Sequence, residues 1–167
     1  MKIKLRKTIN SDLEPIYDLQ NKCFNDSDRW YKCIINQYLN TGIVLEHENN
    51  IIGVLLQGNI TPCESSDKFE ILNDIGNEFI NNNDHLKEIY GITMLCIDPN
   101  YRKKGLGQLL INKHFNINQN KLLCLNTRNL NINAINLYKK MGYNNILLIK
   151  NKYFLPNEDS RFMIKII

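Results

Sequence analysis

The sequence has few of the residues with which small proteins hold metals or build disulfide frameworks. Its three histidines (His47, His85 and His114) are isolated from one another, and its five cysteines never form a CxxC pair. Scattered cysteines in an odd number are typical of reduced core residues in an intracellular protein. We therefore expect no metal site and a cytoplasmic location.

Long runs of charge or of apolar residues are also missing. The net charge of +4 is spread along 167 residues, which argues against a dedicated nucleic-acid binder but suits small anionic ligands. The segment MKIKLRK lacks the apolar stretch of a secretion signal, and no run approaches the roughly 18 apolar residues of a membrane span. We expect no nucleic-acid partner and no membrane segment.

The hydrophobic periodicity that is present predicts a single domain over residues 1–167. The predicted strands are 2–9, two in a hairpin at 42–59, 90–98, 121–127, 145–154 and 160–167. The predicted helices are 12–23, 28–39, 104–117 and 132–141, the first capped by Ser11 or Asp12. The order βααβββαβαββ indicates a mixed α/β class with one central sheet of about seven strands and about four flanking helices. The polar segment 61–88 is interpreted as an insertion with a short helix.

Residues 98–111, DPNYRKKGLGQLLI, place three cations and two glycines where a helix begins. The positive end of the helix dipole repels cations, and each glycine costs a helix up to about 1 kcal/mol relative to alanine. A bound phosphate would remove both problems, because free N–H groups at a helix N-terminus bind anions and glycines let the backbone approach. The segment therefore indicates a phosphate-binding loop, with a solvated basic turn as the alternative. It is not a GxGxxG fingerprint, because position 110 is Leu110, and it has no Walker A motif.

Two motifs together resemble the GNAT superfamily of acetyl-CoA-dependent N-acetyltransferases. RKKGLG (102–107) is similar to the pyrophosphate loop of that family, and NINAINLYKKMGY (131–143) to its second helix and following strand. The ends NKCFNDSDRWYKCII (21–35) and YFLPNEDSRFM (153–163) look like protein N-terminal acetyltransferases of the RimI type, without the Pro-Val pair that often follows the phenylalanine. The resemblance implies the GNAT fold, acetyl-CoA as co-substrate, and a pantetheine arm between the fourth and fifth strands. It implies acetyl transfer to a primary amine, foremost the N-terminal α-amine of a protein or peptide.

The resemblance also implies roles for individual residues. Tyr138 matches the general acid that protonates the leaving sulfur, although its place in the apolar stripe also fits a core aromatic. Asn126 stands where many relatives have Glu or His, so it can at most orient a water, and Tyr90 is the remaining candidate base. The acceptor-side residues are Phe24, Tyr153 and Phe154. The implied cofactor-binding residues are Leu95, Cys96, Ile97, Arg102, Lys103, Lys104, Gly105, Leu106, Gly107, Gln108, Asn131 and Tyr138, of which Asn131 fits a helix cap equally well.

Two other functions stay open at this point. A GNAT enzyme for a small amine, such as a polyamine or aminoglycoside, would need an acidic pocket, and the insertion supplies Glu64, Asp67, Glu70, Asp74 and Glu78. A catalytically weak acyl-CoA-binding module would explain Asn126. The missing carboxylate favours α-amines, since their pKa near 7.7–8.0 leaves roughly a tenth neutral at pH 7, against about one lysine in a few thousand. Nothing in the sequence indicates an auxiliary subunit.

Overall fold

The computed structural model describes residues 1–59, 89–119, 121–154 and 156–167. The strands are β1 (Lys4–Lys7), β2 (Ile43–His47), β3 (Asn50–Asn59), β4 (Ile89–Ile97), β5 (Leu122–Arg128), β6 (Asn144–Phe154) and β7 (Asn157–Ile166). The α-helices are α1 (Leu13–Cys23), α2 (Lys32–Tyr38), α3 (Leu106–Ile117) and α4 (Ile132–Lys140). The strands form one mixed sheet in the order β1-β2-β3-β4-β5-β7-β6. The predicted α/β class and element order are confirmed, whereas the predicted insertion at 61–88 lies outside the described residues.

The described chain divides into two compact units. The first unit comprises residues 1–58 and 92–114, and the second comprises 59–91 and 115–167. In the first unit, β1 pairs with β2 and β2 with β3, both antiparallel. Apolar residues of α1 and α2 pack against strands of this unit. The buried core so formed consists of Ile16, Leu19, Ile35, Leu39, Val44, Val54, Leu56, Met94 and Cys96.

Of the two predicted capping residues, Ser11 and Asp12, Asp12 occupies the N-cap position of the first helix, but it does not cap through its side chain. The Asp12 carboxylate makes no cap hydrogen bond to α1. Instead it receives two hydrogen bonds from the Arg6 guanidinium, at 2.6 and 2.9 Å, and one from the Ile9 N–H at 2.8 Å. A charged bidentate partner outcompetes the local backbone N–H groups of the helix.

In the second unit, β7 lies between two partners. It pairs antiparallel with β5 from Leu122↔Ile166 to Arg128↔Ser160, and antiparallel with β6 on its other side. Helix α4 ends at Lys140 with Met141 as its C-cap, and Gly142 follows with a φ of +85°, the left-handed residue that is common after a helix. Apolar residues of these three strands form a buried cluster that consists of Leu122, Cys124, Ile149, Phe162 and Ile164.

Two expectations about buried residues need correction. Helical spacing predicts an apolar stripe of Leu106, Leu109, Leu110 and Phe115 on α3, but Leu109 is 40% exposed, because the buried face of that helix consists of Leu106, Leu110, Ile111 and His114. Among the cysteines, Cys96 and Cys124 are buried as expected, but Cys33 is exposed. In the described part of the chain no helix has the length and apolarity needed to cross a membrane.

Candidate functional site

Strand β4 stops at Asp98, whose side chain organises the turn that follows. The backbone N–H of Asp98 donates to the Ile52 carbonyl at 2.9 Å. Its buried carboxylate accepts the Asn100 N–H at 2.9 Å and lies 3.4 Å from Lys22 Nζ. Pro99 begins one turn of 3-10 helix, which ends at Tyr101. This capped turn releases the chain from the sheet directly before the predicted phosphate loop.

The loop 102–105 leads from this turn into α3 with two residues in the left-handed region. Lys103 has a φ of +59° and Gly105 a φ of +76°. Left-handed residues within such a turn orient successive backbone N–H groups toward one point, where an anion can bind. A Cβ at Gly105 would meet only the Gln108 side-chain oxygen, at 4.0 Å. The backbone geometry therefore fits a phosphate group.

The side chains around this loop are positively charged, as is the N-terminal end of the α3 helix dipole. Residues 102–105 are exposed, and the first turn of α3 contains no acidic residue. The first N–H groups of a helix have no intrahelical acceptor, and they add partial positive charge. The ammonium of Lys104 lies 5.2 Å from the centroid of the Tyr101 ring. Cations and helix end together favour an anionic ligand.

The base of the loop is tied to the end of β4 through one carbonyl group. The Ile97 oxygen accepts a hydrogen bond from Arg102 Nε at 3.1 Å and one from the Cys23 thiol at 3.3 Å. A hydrogen bond with Cys96 lowers the pKa of the Cys23 thiol most, burial opposes this, and Arg102 lowers it further, so that it lies at about 7. Burial raises the pKa of Cys96, and Cys23 raises it further. Cys23 is therefore the more acidic of the two thiols.

Within β4, the strand residues predicted to bind the cofactor alternate in burial. The Cys96 side chain is buried in the first-unit core, whereas Leu95 and Ile97 are half-buried. The side chain of Cys96 therefore serves packing, and any contact with a ligand falls to the backbone. Such backbone binding is what the sequence analysis expects of these three residues.

In the second unit, α4 carries the two residues that the family motif singles out. The Asn131 side-chain oxygen accepts the Ala134 N–H at 3.2 Å, so Asn131 caps the helix. Tyr138 lies on the buried face, 7% exposed, with its ring edge-on to Tyr143 at 5.9 Å between centroids. Burial raises the pKa of Tyr143, and Tyr138 raises it further. Tyr143 is therefore a neutral phenol at ordinary pH.

The two candidate proton-relay residues also belong to the second unit. Asn126 on β5 accepts a hydrogen bond from the Ser160 hydroxyl at 3.3 Å, which fixes the orientation of its amide. Tyr90, half-buried at the start of β4, has the Lys121 ammonium 4.2 Å from its ring centroid. An amide has no basic lone pair for a proton at ordinary pH, so Tyr90 is the titratable member of these two.

Tyr153, one of the residues predicted on the acceptor side, lies against an ion pair that was not predicted from the sequence. The Arg128 guanidinium lies 4.1 Å from the Tyr153 ring centroid and 3.2 Å from a Glu158 oxygen. The other Glu158 oxygen accepts the Leu130 N–H at 2.5 Å, directly before Asn131. The sequence features that indicate this pair are an arginine at the end of a buried strand and an acidic residue in the β6–β7 hairpin.

The other acceptor-side residues are Phe24 and Phe154. Phe24 follows α1 and packs, partly buried, against the first-unit core. Phe154 is the last residue of β6, and its side chain lies outside the described part of the structure. The structure thus describes the surroundings of one of these two rings.

Comparisons with known proteins agree with this geometry. A family model described as "Acetyltransferase (GNAT) domain" matches residues 39–145. No curated protein sequence matches the chain significantly.

Among solved structures, Arabidopsis thaliana NAA60 in complex with acetyl-CoA is 19% identical, with a TM-score of 0.80 and coverage of 99% of this chain and 100% of that one. The ribosomal-protein-S18-alanine N-acetyltransferase of Escherichia coli is 16% identical, with a TM-score of 0.74 and coverage of 98% and 92%. A mutant agmatine N-acetyltransferase is 13% identical, with a TM-score of 0.74 and full coverage of both chains. At these identities the likeness concerns the fold alone.

Proposed function

Because the chain belongs to the GNAT family of N-acetyltransferases, we propose that it transfers the acetyl group of acetyl-CoA to the N-terminal α-amine of a protein or peptide. The observation that carries the proposal is the cationic loop before α3, with left-handed Lys103 and Gly105 and no acid in the first helical turn. Such a loop fits a pyrophosphate, which is the most highly charged part of the proposed co-substrate. Acetyl-CoA supplies an activated thioester, and the residues of the chain bind and orient it.

Loop 102–108 binds the pyrophosphate through backbone N–H groups, with the cations adding long-range attraction. Arg102 has a second task, because its Nε anchors the loop to the Ile97 carbonyl. The backbone N–H groups of β4 near Leu95–Ile97 bind the pantetheine arm and the thioester carbonyl. Hydrogen bonds to that oxygen stabilise the negative charge that develops when the amine attacks.

Tyr138 is the proposed general acid, which donates its phenolic proton to the sulfur as the thioester bond breaks. Its burial, at 7% exposure, keeps the phenol away from bulk water. The neutral Tyr143 ring packed edge-on against it limits the orientations that the Tyr138 ring can adopt. General acids of this kind contribute about 10²–10⁴-fold to rate.

The α-amine is favoured as acceptor because the site has a weak set of bases. The Asn126 amide, hydrogen-bonded to Ser160, can orient a water but cannot take the proton of the amine. An α-amine with a pKa near 7.7–8.0 is neutral in roughly a tenth of molecules at pH 7, so it needs less help than a lysine. Tyr90 is the proposed relay for the remaining proton. The similar structure from E. coli is that of a ribosomal-protein-S18-alanine N-acetyltransferase, which supports an acceptor in a protein.

A small amine is the second candidate acceptor, favoured by the agmatine N-acetyltransferase among the similar structures. The acids that would bind a polycation, Glu64 to Glu78, lie outside the described residues. A third candidate, an acyl-CoA-binding module without turnover, rests on Asn126.

A turnover assay separates the three functions. The chain is incubated with acetyl-CoA and a panel of N-terminal peptides, the same peptides with blocked N-termini and an internal lysine, agmatine and spermidine. Acetylation of free N-termini alone supports the proposal. Acetylation of agmatine or spermidine alone supports the second candidate, and CoA binding without any product supports the third. Robust acetylation of internal lysines with blocked N-termini contradicts the argument from the weak bases.

The role of Tyr138 is tested by Tyr138→Phe, which should lower kcat about 100-fold and leave the affinity for CoA within twofold. Tyr17→Phe is the matched control, because Tyr17 packs against the first-unit core on α1. Equal activity of Tyr138→Phe and Tyr17→Phe would show that the proton comes from elsewhere.

A further inference from the structure

The connection between α1 and α2 is held by a fully buried glutamine. We call residues 24–31 the α1–α2 loop. Gln20, which is 0% exposed, bonds to the backbone of Trp30 with both ends of its amide. Its Nε2 donates to the Trp30 carbonyl at 2.7 Å, and its Oε1 accepts the Trp30 N–H at 2.9 Å. One side chain thus satisfies both polar groups of one loop residue, as a neighbouring strand would do.

Other contacts fix the rest of this loop. Arg29 Nε donates to the Phe24 carbonyl at 3.2 Å, and its Nη2 donates to the Asn21 carbonyl at 3.1 Å. The Trp30 ring packs on Tyr38 of α2, 5.8 Å between centroids. The hydrogen bonds of Gln20 therefore hold the end of a loop whose beginning carries Phe24.

We propose that Gln20 is a positioning residue for the acceptor amine, because it holds the α1–α2 loop, and with it Phe24, in one arrangement. The inference rests on the proposed function and on the acceptor-side role that the family resemblance implies for Phe24. Burying an amide costs free energy unless all of its groups are bonded, and an apolar side chain would fill the same core position without that cost. A buried amide selects one arrangement of the loop, since any other leaves its donor and acceptor unsatisfied.

Trp30 makes the inference measurable, because it is the only tryptophan of the chain. In Gln20→Leu the two hydrogen bonds are lost while the volume is retained. We expect acrylamide to quench Trp30 fluorescence more strongly than in the wild type. We also expect the KM for the acceptor amine to rise by up to about thirtyfold, since two hydrogen bonds of about 1 kcal/mol each are lost and every 1.4 kcal/mol is tenfold. The KM for acetyl-CoA should stay within twofold, which a general loss of structure would not allow.

The matched control is Glu14→Gln, on the same helix. It removes the exposed Glu14–Lys32 ion pair of 2.6 Å, which links α1 to α2 without touching the loop backbone. This variant should equal the wild type in quenching and in both KM values. If Gln20→Leu does not fold, Gln20→Met takes its place, because it is an unbranched apolar side chain that adapts to the same core position and lacks both hydrogen-bonding groups.

The outcomes separate this inference from the proposed function. The acceptor is whichever amine of the panel the wild type acetylates fastest. Unchanged quenching, or KM values for acceptor and acetyl-CoA that rise together, would overturn the role of Gln20 while acetyl transfer stands. A wild type that acetylates no amine would overturn the proposed function, and the acceptor role of Gln20 with it.

Discussion

Replacing Gly105 by alanine tests whether the left-handed backbone of the loop binds the pyrophosphate. The φ of Gly105 is +76°, a conformation that costs an L-residue roughly 1–2 kcal/mol. Steric overlap adds nothing, because the nearest heavy atom to the new Cβ is the Gln108 Oε1 at 4.0 Å. The whole effect of the substitution is therefore backbone strain of about 1–2 kcal/mol.

This strain has to lower either the stability of the folded protein or its affinity for CoA. Residues 102–105 are exposed, so the substituted loop can relax in the free protein and must be forced back when the ligand binds. We therefore expect the Kd for CoA to rise about five- to thirtyfold, which corresponds to 1–2 kcal/mol. The melting temperature without ligand should fall by less than about 2 °C. Isothermal titration calorimetry with CoA and thermal unfolding measure the two quantities.

Gly142→Ala is the matched control, because Gly142 has a φ of +85° far along the chain from the loop. Its neighbours are held by hydrogen bonds from the Gly142 N–H to Lys139 and from the Tyr143 N–H to Tyr138, at 2.9 and 3.0 Å. The strain cannot relax there, and a Cβ at Gly142 would also lie 2.5 Å from Lys165 Nζ, so that this side chain has to move. The melting temperature should therefore fall by about 2–4 °C per kcal/mol while the Kd for CoA stays unchanged. A Gly105→Ala variant that loses stability but keeps its Kd would refute the assignment of the loop.

Three further predictions concern contacts of the described residues. Iodoacetamide should alkylate Cys23 at a rate that rises through about pH 7, because the thiolate is the reactive form and the pKa of this thiol is lowered to about 7. Arg102→Gln should move this rise to higher pH, because Arg102 contributes to the lowered pKa. Peptide mass spectrometry measures the rate at each pH, and an identical pH profile in the variant would contradict the reasoning. Arg128→Met should cost about 3 kcal/mol of unfolding free energy, because it removes the cation from the mostly buried Glu158 carboxylate, whereas Glu158→Gln should cost less, because Arg128 keeps its contacts with the Tyr153 ring and the Pro156 carbonyl. The double variant should cost clearly less than the sum of the two; additive costs in denaturant unfolding would contradict the pairing. Tyr143→Phe should raise the melting temperature by about 2–4 °C, because no described residue hydrogen-bonds to the buried Tyr143 hydroxyl; differential scanning calorimetry showing a decrease would contradict this.

The periodic parts of the chain were predictable because their signals are local. Alternation and helical spacing predict the order of strands and helices, and Gly142 stands one position after the end of its helix motif. The cationic loop is predicted as an anion site because its cost to the helix is visible in the residues themselves. The left-handed conformations of Lys103 and Gly105 are a finding of the structure that the residue types alone do not predict.

The remaining contacts were not predictable because they join residues far apart in sequence. Arg6 withdraws the Asp12 carboxylate from its expected cap, and nothing in the local pattern favours one partner over the other. The Arg128–Glu158 pair spans a helix and a hairpin. In the sequence alone, Gln20 is an ordinary polar residue of an amphipathic helix. Its burial is explained only by its hydrogen bonds with the Trp30 backbone, which follows later in the chain.

The place of β7 in the sheet has a consequence for the order in which this protein can be made. Residues 157–166 are synthesised after β5 and β6, yet they fill the position between those two strands. Until they leave the ribosome, β5 and β6 each lack a neighbour and present open backbone edges, which are templates for pairing with other chains. The first unit can form its core from residues made earlier, whereas the sheet of the second unit closes only when the last strand is inserted. The nascent chain is therefore most exposed to aggregation until residues 157–166 have been synthesised and inserted between β5 and β6.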